Sequence, residues 1–274
     1  MTAAPPIDPR SDVALAADLA RAAGRTLLEL RAGFGPVDLP GRRRALMDAG
    51  DQRAQQLLAD ALAVARPEDA ILSEEAPDPA ARLTADRVWI LDPLDGTDEF
   101  GEGRTDFAVH VALWQRAAGP DGAGAVTDAA VDVPALGETW RTDEAGAGPA
   151  PLPTSRPLRI AISRSRPPVG MDELLRAASA ELVTGGIHPH GIDRAHVGSV
   201  GAKLGEVMAG RAEAYLHSGG LNEWDLAAPY ACALARGYVA IGPTQRFNQM
   251  PPTAGGVLIA HPAIADVLAR HWVD

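Results

Sequence analysis

The stretch W-I-L-D-P-L-D-G-T-D-E-F, residues 89–100, joins an apolar run, Val88-Trp89-Ile90-Leu91, to two aspartates, a proline, a glycine and a threonine. A simple hairpin has no use for two carboxylates at its turn. Asp92 and Asp95 are three residues apart, the spacing of a turn and not of one strand face, and Pro93 fixes φ between them. Both carboxylates can therefore converge on one point, where they repel unless one is protonated or a cation lies between them. Hard oxygen ligands select Mg²⁺, Mn²⁺ or Ca²⁺ over zinc. Gly96 admits close backbone approach and Thr97 adds a hydroxyl that can orient water. A helix starting here would turn free N–H groups toward a phosphate. Aspartyl-phosphate chemistry is excluded by spacing: in register with a D-x-D-G-T signature, the nucleophile's place falls on Pro93. Taken alone, D-x-x-D-G reads as a pair of Asx turns, so the rest of the chain decides.

The chain has 274 residues, 46% hydrophobic and 22% charged, enough to bury a large core in one or two closely packed domains. Its 25 basic and 36 acidic residues give a net charge of −11, which argues against a nucleic-acid or anionic-membrane surface. An anionic substrate would need that field offset locally, and a metal ion does this. Cys232 is the single cysteine and forms no internal disulfide. Neither a signal-peptide stretch nor a membrane-spanning run is evident, so the expected setting is the cytoplasm.

Helical spacing predicts a first helix capped at Ser11-Asp12, with Leu15, Leu19, Ala23, Leu27 and Leu30 on one face, and a second after Asp51, ending before Pro67. Short strands are expected at 70–72, 88–91, 107–114, 125–133 and 138–141. The aperiodic run E-A-G-A-G-P-A-P-L-P, 144–153, reads as a linker, giving an N-terminal α+β domain over 1–153 and a C-terminal α/β domain over 154–274. In the second, strands at 158–162, 214–217, 238–241 and 256–260 alternate with helices at 171–182, 200–208, 224–236 and 262–271. Arg42-Arg43-Arg44 reads as a solvated loop before Asp48. Cys232 reads as a core residue, and His110, His196 and His217 show no zinc spacing.

Upstream lies Ser73-Glu74-Glu75 and downstream Trp224-Asp225-Leu226-Ala227-Ala228. In that order, Glu-Glu, D-P-L-D-G-T and W-D-L-A-A resemble the inositol monophosphatase superfamily of metal-dependent, lithium-sensitive phosphomonoesterases, from the first helix nearly to the C-terminus. The resemblance implies a layered α-β-α-β-α sandwich with the site at the domain junction. It implies metal carboxylates at Glu74, Asp92, Asp95 and Asp225, with the Leu94 carbonyl completing a site for two or three Mg²⁺ or Mn²⁺ ions. Gly96 and Thr97 would offer N–H groups to phosphate, and Thr97 with Glu74 would activate water. Asp51 matches the family's aspartate beside that threonine, although this chain has D-A-G-D where members show T-x-x-D or T-x-D; Asp48 adds a further carboxylate there.

Within the superfamily the chain most resembles the bacterial CysQ-type branch, which removes the 3′-phosphate of 3′-phosphoadenosine 5′-phosphate, a step of sulfate assimilation. The supporting stretches are R-I-A-I-S-R-S-R (159–166), G-S-V-G-A-K (198–203) and R-F-N-Q (246–249). By analogy Ser163, Arg164, Ser199, Lys203 and Arg246 would meet the 5′-phosphate and ribose, and Phe247 the base; a guanidinium fork suits phosphate. The alternatives are an inositol-1-phosphate or fructose-1,6-bisphosphate phosphatase, or a non-catalytic sensor of such ligands on the same fold. A small phosphomonoester is the expected partner, with no nucleic acid or membrane; the family leaves room for a homodimer.

Overall fold

The computed structural model describes residues 8–35, 40–118, 123–144, 148–242 and 246–272. Helix α1, Asp12–Phe34, starts where expected, with Ser11 Oγ accepting from the Ala14 N–H at 3.4 Å. Helix α2 spans Pro40–Ala65 and begins earlier than predicted. The three arginines thus sit on helix, not loop: Arg44 pairs with Asp48 one turn on (2.8 Å), and Arg43 reaches Asp98 and Glu102. Proline is well placed in a first turn, where its missing N–H has no partner to lose.

Five strands follow: β1 (Ala70–Ser73), β2 (Arg87–Asp95), β3 (Ala108–Gln115), β4 (Ala125–Val133) and β5 (Glu138–Arg141), side by side in that order. β1 runs parallel to β2 and the rest are antiparallel. A short helix, α3 (Thr97–Gly101), leaves the end of β2. The second sheet contains β6 (Leu158–Ser163), β7 (Ile192–Val197), β8 (Ala214–His217), β10 (Val239–Ile241) and β12 (Val257–Ala260), ordered β10-β12-β8-β6-β7. Its helices are α4 (Met171–Thr184), α5 (Val200–Met208), α6 (Glu223–Ala235) and α7 (Pro262–His271), and β9 (Leu221–Asn222) pairs with β11 (Thr253–Ala254). β7, Ile-Asp-Arg-Ala-His-Val, has no counterpart in the predicted elements. As an edge strand it needs no apolar alternation, and its charges suit an exposed edge.

Three apolar clusters define the layers. α1 and α2 bury Leu15, Leu27, Leu58 and Leu62 against Trp89 and Leu91 on one face of the first sheet. The alternate residues Val88 and Ile90 face the other way, meeting Leu204 of α5, Leu226 and Cys232 of α6, and Tyr215 of the second sheet. The far face of that second sheet, with Ile160, Leu216 and Leu258, is covered by Leu175 of α4 and Leu268 of α7. The layers run α-β-α-β-α. Each wholly buried leucine contributes about 1.5–3 kcal/mol. Both sheets are covered on both faces, which is why β3 from Ala108 to Trp114 reads as an apolar run interrupted only by His110.

Candidate active site

The D-P-L-D-G-T stretch forms a bulge followed by a helix start. Asp92 pairs with His110 and Asp95 with Ala108, and the register slips between them, where Pro93 has no N–H to give the ladder. The Leu94 N–H donates back to Asp92 Oδ1 at 3.1 Å, and the Thr97 hydroxyl donates to the Leu94 carbonyl at 3.2 Å. Gly96 then takes φ 90°, and a Cβ there would stand 2.9 Å from Ser199 Cβ. Asp95 Oδ2 accepts from the Gly201 N–H at 2.6 Å, an approach open only to glycine because a Cβ on Gly201 would lie 2.3 Å from His110 Nε2.

Asp225, in the first turn of α6, joins these two: oxygens of Asp92, Asp95 and Asp225 all lie within 4.8 Å of one another. Asp225 Oδ2 is held by the Asn222 N–H at 2.6 Å. Glu74, on the turn after β1, lines the same cleft beside Asp92. Asp51, on α2, faces the Thr97 hydroxyl. These residues line one cleft of about 870 Å³.

Crowding shows in the acidities. Burial, then repulsion from Glu74, Asp95 and Asp225, holds Asp92 well above the usual carboxylate range. Burial and Asp225 push Glu74 up to about 7, burial and Asp95 push Asp225 up to about 6, and burial, Glu75 and Asp48 push Asp51 up to about 7. Asp95 alone falls below its ordinary value: burial raises it, but His110, the Gly201 N–H and Lys203 more than compensate. His110 Nε2 lies 3.0 Å from Asp95 Oδ2, and Nδ1 lies 3.1 Å from the Trp224 carbonyl. Both neighbours are acceptors, so the ring favours two protons, and Asp95 raises its pKa against the effect of burial.

A divalent cation fits this donor set. The donors are hard oxygens, and Asp92 Oδ2 is buried without a hydrogen-bond partner, a charge that in such a place requires a cation or a proton. Nine carboxylates and four basic side chains line the cleft, so a phosphate is repelled until positive charge enters with it.

The opposite wall differs from expectation. Ser163 and Ser199 do line the cleft, but each serves the backbone: Ser163 Oγ accepts from the Arg166 N–H, and Ser199 Oγ caps α5. Arg164 also lines it, with its guanidinium bound to Asp106 (2.5 Å), Glu99 (3.4 Å) and the His196 carbonyl. Lys203 is buried, not remote from the acidic cluster. Its ammonium donates to the Gly198 carbonyl, and burial lowers its pKa to about 8 against the pull of Asp95. Arg246 is exposed and does not line the cleft, and Phe247 is buried edge-on against Tyr230, ring centroids 5.9 Å apart. An aromatic ring followed by polar residues signals a core anchor as readily as a base platform. Arg166, two residues after Arg164 in the same motif, lines the cleft and has no ion-pair partner among the described residues. With Lys203 it helps burial hold His217 down at about 4, so that ring is neutral near pH 7.

A carboxylate cluster between a bulged strand and a helix start, on five alternating layers, defines a class. The profile described as the Inositol monophosphatase family matches residues 8–274, and the chain belongs to that family of metal-dependent hydrolases. It is 46% identical over 265 residues, 94% of this chain and 92% of the other, to a Mycobacterium leprae protein named 3′-phosphoadenosine 5′-phosphate phosphatase. It is 30% identical over 226 residues, 80% of this chain and 85% of the other, to Escherichia coli 3′(2′),5′-bisphosphate nucleotidase CysQ. The solved structure of CysQ from Bacteroides thetaiotaomicron shares the fold, with a TM-score of 0.71 at 22% identity, over 92% of this chain and 98% of that one.

Proposed function

We propose that the protein is a Mg²⁺-dependent phosphomonoesterase that hydrolyses 3′-phosphoadenosine 5′-phosphate to AMP and phosphate. The observation that carries the reading is the convergence of Asp92, Asp95 and Asp225 within 4.8 Å beside a cleft, in a chain whose 46%-identical relative bears that activity in its name. Glu74, Asp92, Asp95, Asp225 and the Leu94 carbonyl would hold the cations, two or three of them. A bound divalent cation supplies charge to the phosphate and the departing oxygen, and acidifies a neighbouring water.

The chain's own groups do the rest. N–H groups of Gly96 and Thr97, at the start of α3, meet phosphate oxygens. Glu74 and the Asp51–Thr97 pair orient the attacking water and accept its proton as its oxygen bonds to phosphorus and the bond to the 3′-oxygen breaks, the departing oxygen taking a proton from solvent water to become the 3′-hydroxyl of AMP. The Thr97 hydroxyl has one proton to share: with the Leu94 carbonyl given to a cation, it would donate its hydrogen bond to Asp51 in place of Leu94, and its oxygen would accept from water. Arg166, without a carboxylate partner among the described residues, takes the second phosphate, with Ser163 and Ser199 beside it. Arg164 and Lys203 shape that wall from behind.

The reading includes the division at residue 153, supported by each sheet being drawn from one side of it. It also includes a cytoplasmic setting, supported by the lone buried cysteine and by the absence, among the described residues, of a helix long and apolar enough to cross a membrane. A homodimer rests on family resemblance, and sedimentation velocity tests it. Function itself is tested by kcat/KM measured side by side on 3′-phosphoadenosine 5′-phosphate, inositol 1-phosphate and fructose 1,6-bisphosphate. A second-phosphate contact is worth about 1.5–3 kcal/mol, so the nucleotide should lead inositol 1-phosphate by roughly ten- to a hundredfold. A preference for either sugar-type substrate overturns the assignment.

A further inference from the structure

Asn248 and Gln249 fasten the start of α6. Their backbone N–H groups donate to the two oxygens of Glu223, at 2.6 Å each, and the Glu223 N–H donates to the Pro252 carbonyl at 2.9 Å. Asn248 has φ 63°, the left-handed conformation that asparagine tolerates better than most residues. Behind this strap, 166 residues away in sequence, lies Arg82, wholly buried. Its Nη1 donates to Asn248 Oδ1 at 2.6 Å, its Nη2 to the Gln249 carbonyl at 2.7 Å, and its Nε to Asp78 at 2.6 Å. The Asn248 amide nitrogen donates back to the Arg82 carbonyl at 3.3 Å.

A buried ion pair of this kind is weak as a source of stability, since apolar packing of equal volume often does as well, and in some proteins its role is to fix position instead. What it positions is the first turn of α6, in which Glu223 is the first residue and Asp225 the third. Asp225 reaches the cluster from the second half of the chain, whereas Asp92 and Asp95 come from the first. Arg82 belongs to the first half and binds the strap from the second, so it spans the same junction.

We propose that Arg82 is a positioning residue for cation binding, fixing Asp225 opposite Asp92 and Asp95 through Asn248, Gln249 and Glu223. The proposal rests on the reading of Asp225 as a cation ligand.

Mn²⁺ binding to the metal-stripped full chain, followed by loss of the free-ion paramagnetic resonance signal, tests it alongside melting temperature and kcat at saturating Mg²⁺. Arg82→Met keeps the volume, and Asp78, whose side chain is 23% exposed, can turn to water. Supporting shells of metal ligands matter by 10- to 100-fold, so Mn²⁺ affinity should fall about tenfold, with kcat at saturating metal within about threefold. Asn248→Gly accepts the left-handed backbone and removes only the amide, so it should weaken Mn²⁺ binding in the same direction by less. Asp225→Asn should weaken it most. Wild-type Mn²⁺ affinity in Arg82→Met and Asn248→Gly, with Asp225→Asn impaired, overturns the proposal even if melting temperatures fall. Wild-type affinity in all three overturns the role of Asp225 itself. Should Arg82→Met not fold, the affinity of Asn248→Gly decides.

Discussion

The end of β2 and the strap at 246–252 both arrange residues around the start of α6, and they do so by opposite means. At the end of β2 everything is local. Pro93 forces the bulge, the Leu94 N–H ties back to Asp92, and Gly96 turns the chain left-handed into α3, all within a few residues. In the strap, placement comes from distant partners: Arg82 and Glu223 hold Asn248 and Gln249, and Tyr230 holds Phe247. Chemistry fixed by local backbone geometry can be assigned to named residues from a motif. Recognition fixed by tertiary contacts cannot, because the same side chain serves substrate or core according to what stands across from it.

The largest effect should come from the local region. Asp92→Asn removes a carboxylate on which three others converge, and phosphatase turnover should fall by roughly 10²–10³-fold or more. The fold should hold, because the change relieves repulsion at a buried site. Near wild-type turnover in this variant would take Asp92 out of the site. The strap should behave the other way. Phe247→Ala empties a core position and should lower stability by about 3–5 kcal/mol in urea melts, while KM for the nucleotide stays unchanged. A raised KM with intact stability would return Phe247 to the substrate.

Next in size are two of the cations of the cleft wall, Arg166 and Lys203. Arg166→Ala should lower kcat/KM for 3′-phosphoadenosine 5′-phosphate roughly ten- to a hundredfold and leave inositol 1-phosphate nearly untouched. Lys203→Ala should depress both alike, since the buried ammonium acts on Asp95. The reverse pattern would exchange their roles.

The smallest effect is in pH dependence. Glu74 and Asp51 are raised to about 7 and Asp225 to about 6. Each carboxyl keeps its proton in the folded state after the unfolded chain has released it, near pH 4. Its contribution to stability is therefore full below pH 4 and is lost as pH rises through 6 to 7. In metal-free protein, Asp92→Asn should gain in melting temperature over wild type as pH rises from 5 to 8, and Mg²⁺ should stabilise wild type more at pH 8 than at pH 5. Equal metal stabilisation at both pH values would remove the carboxylates from cation binding.

The layered fold was legible because both sheets are sandwiched and their helices are amphipathic, so the apolar spacing of Leu15, Leu19, Ala23 and Leu27 or of Val200–Met208 marked elements to within a residue or two. β7 was not, since an edge strand carries no such pattern. The start of α2 lies outside the predicted helix because three consecutive arginines read as a solvated loop, whereas on the helix Arg44 pairs with Asp48, Arg43 reaches Asp98 and Glu102, and Arg42 donates to the Phe34 carbonyl. The carboxylates Asp92, Asp95 and Asp225 were visible as motifs; that His110, a supporting residue without zinc spacing, packs between Asp95 and the Trp224 carbonyl was not, because no motif links it to them. Nor could spacing tell that Arg164 is spent on Asp106 while Arg166, two residues on, has no ion-pair partner among the described residues.

The central claim is that carboxylates from both halves of the chain gather a cation on which 3′-phosphate hydrolysis depends. Phosphate release from 3′-phosphoadenosine 5′-phosphate, measured on protein stripped with EDTA and then titrated with Mg²⁺, tests it most directly. No turnover is expected in EDTA, with full recovery as Mg²⁺ saturates. Full turnover in EDTA would contradict it.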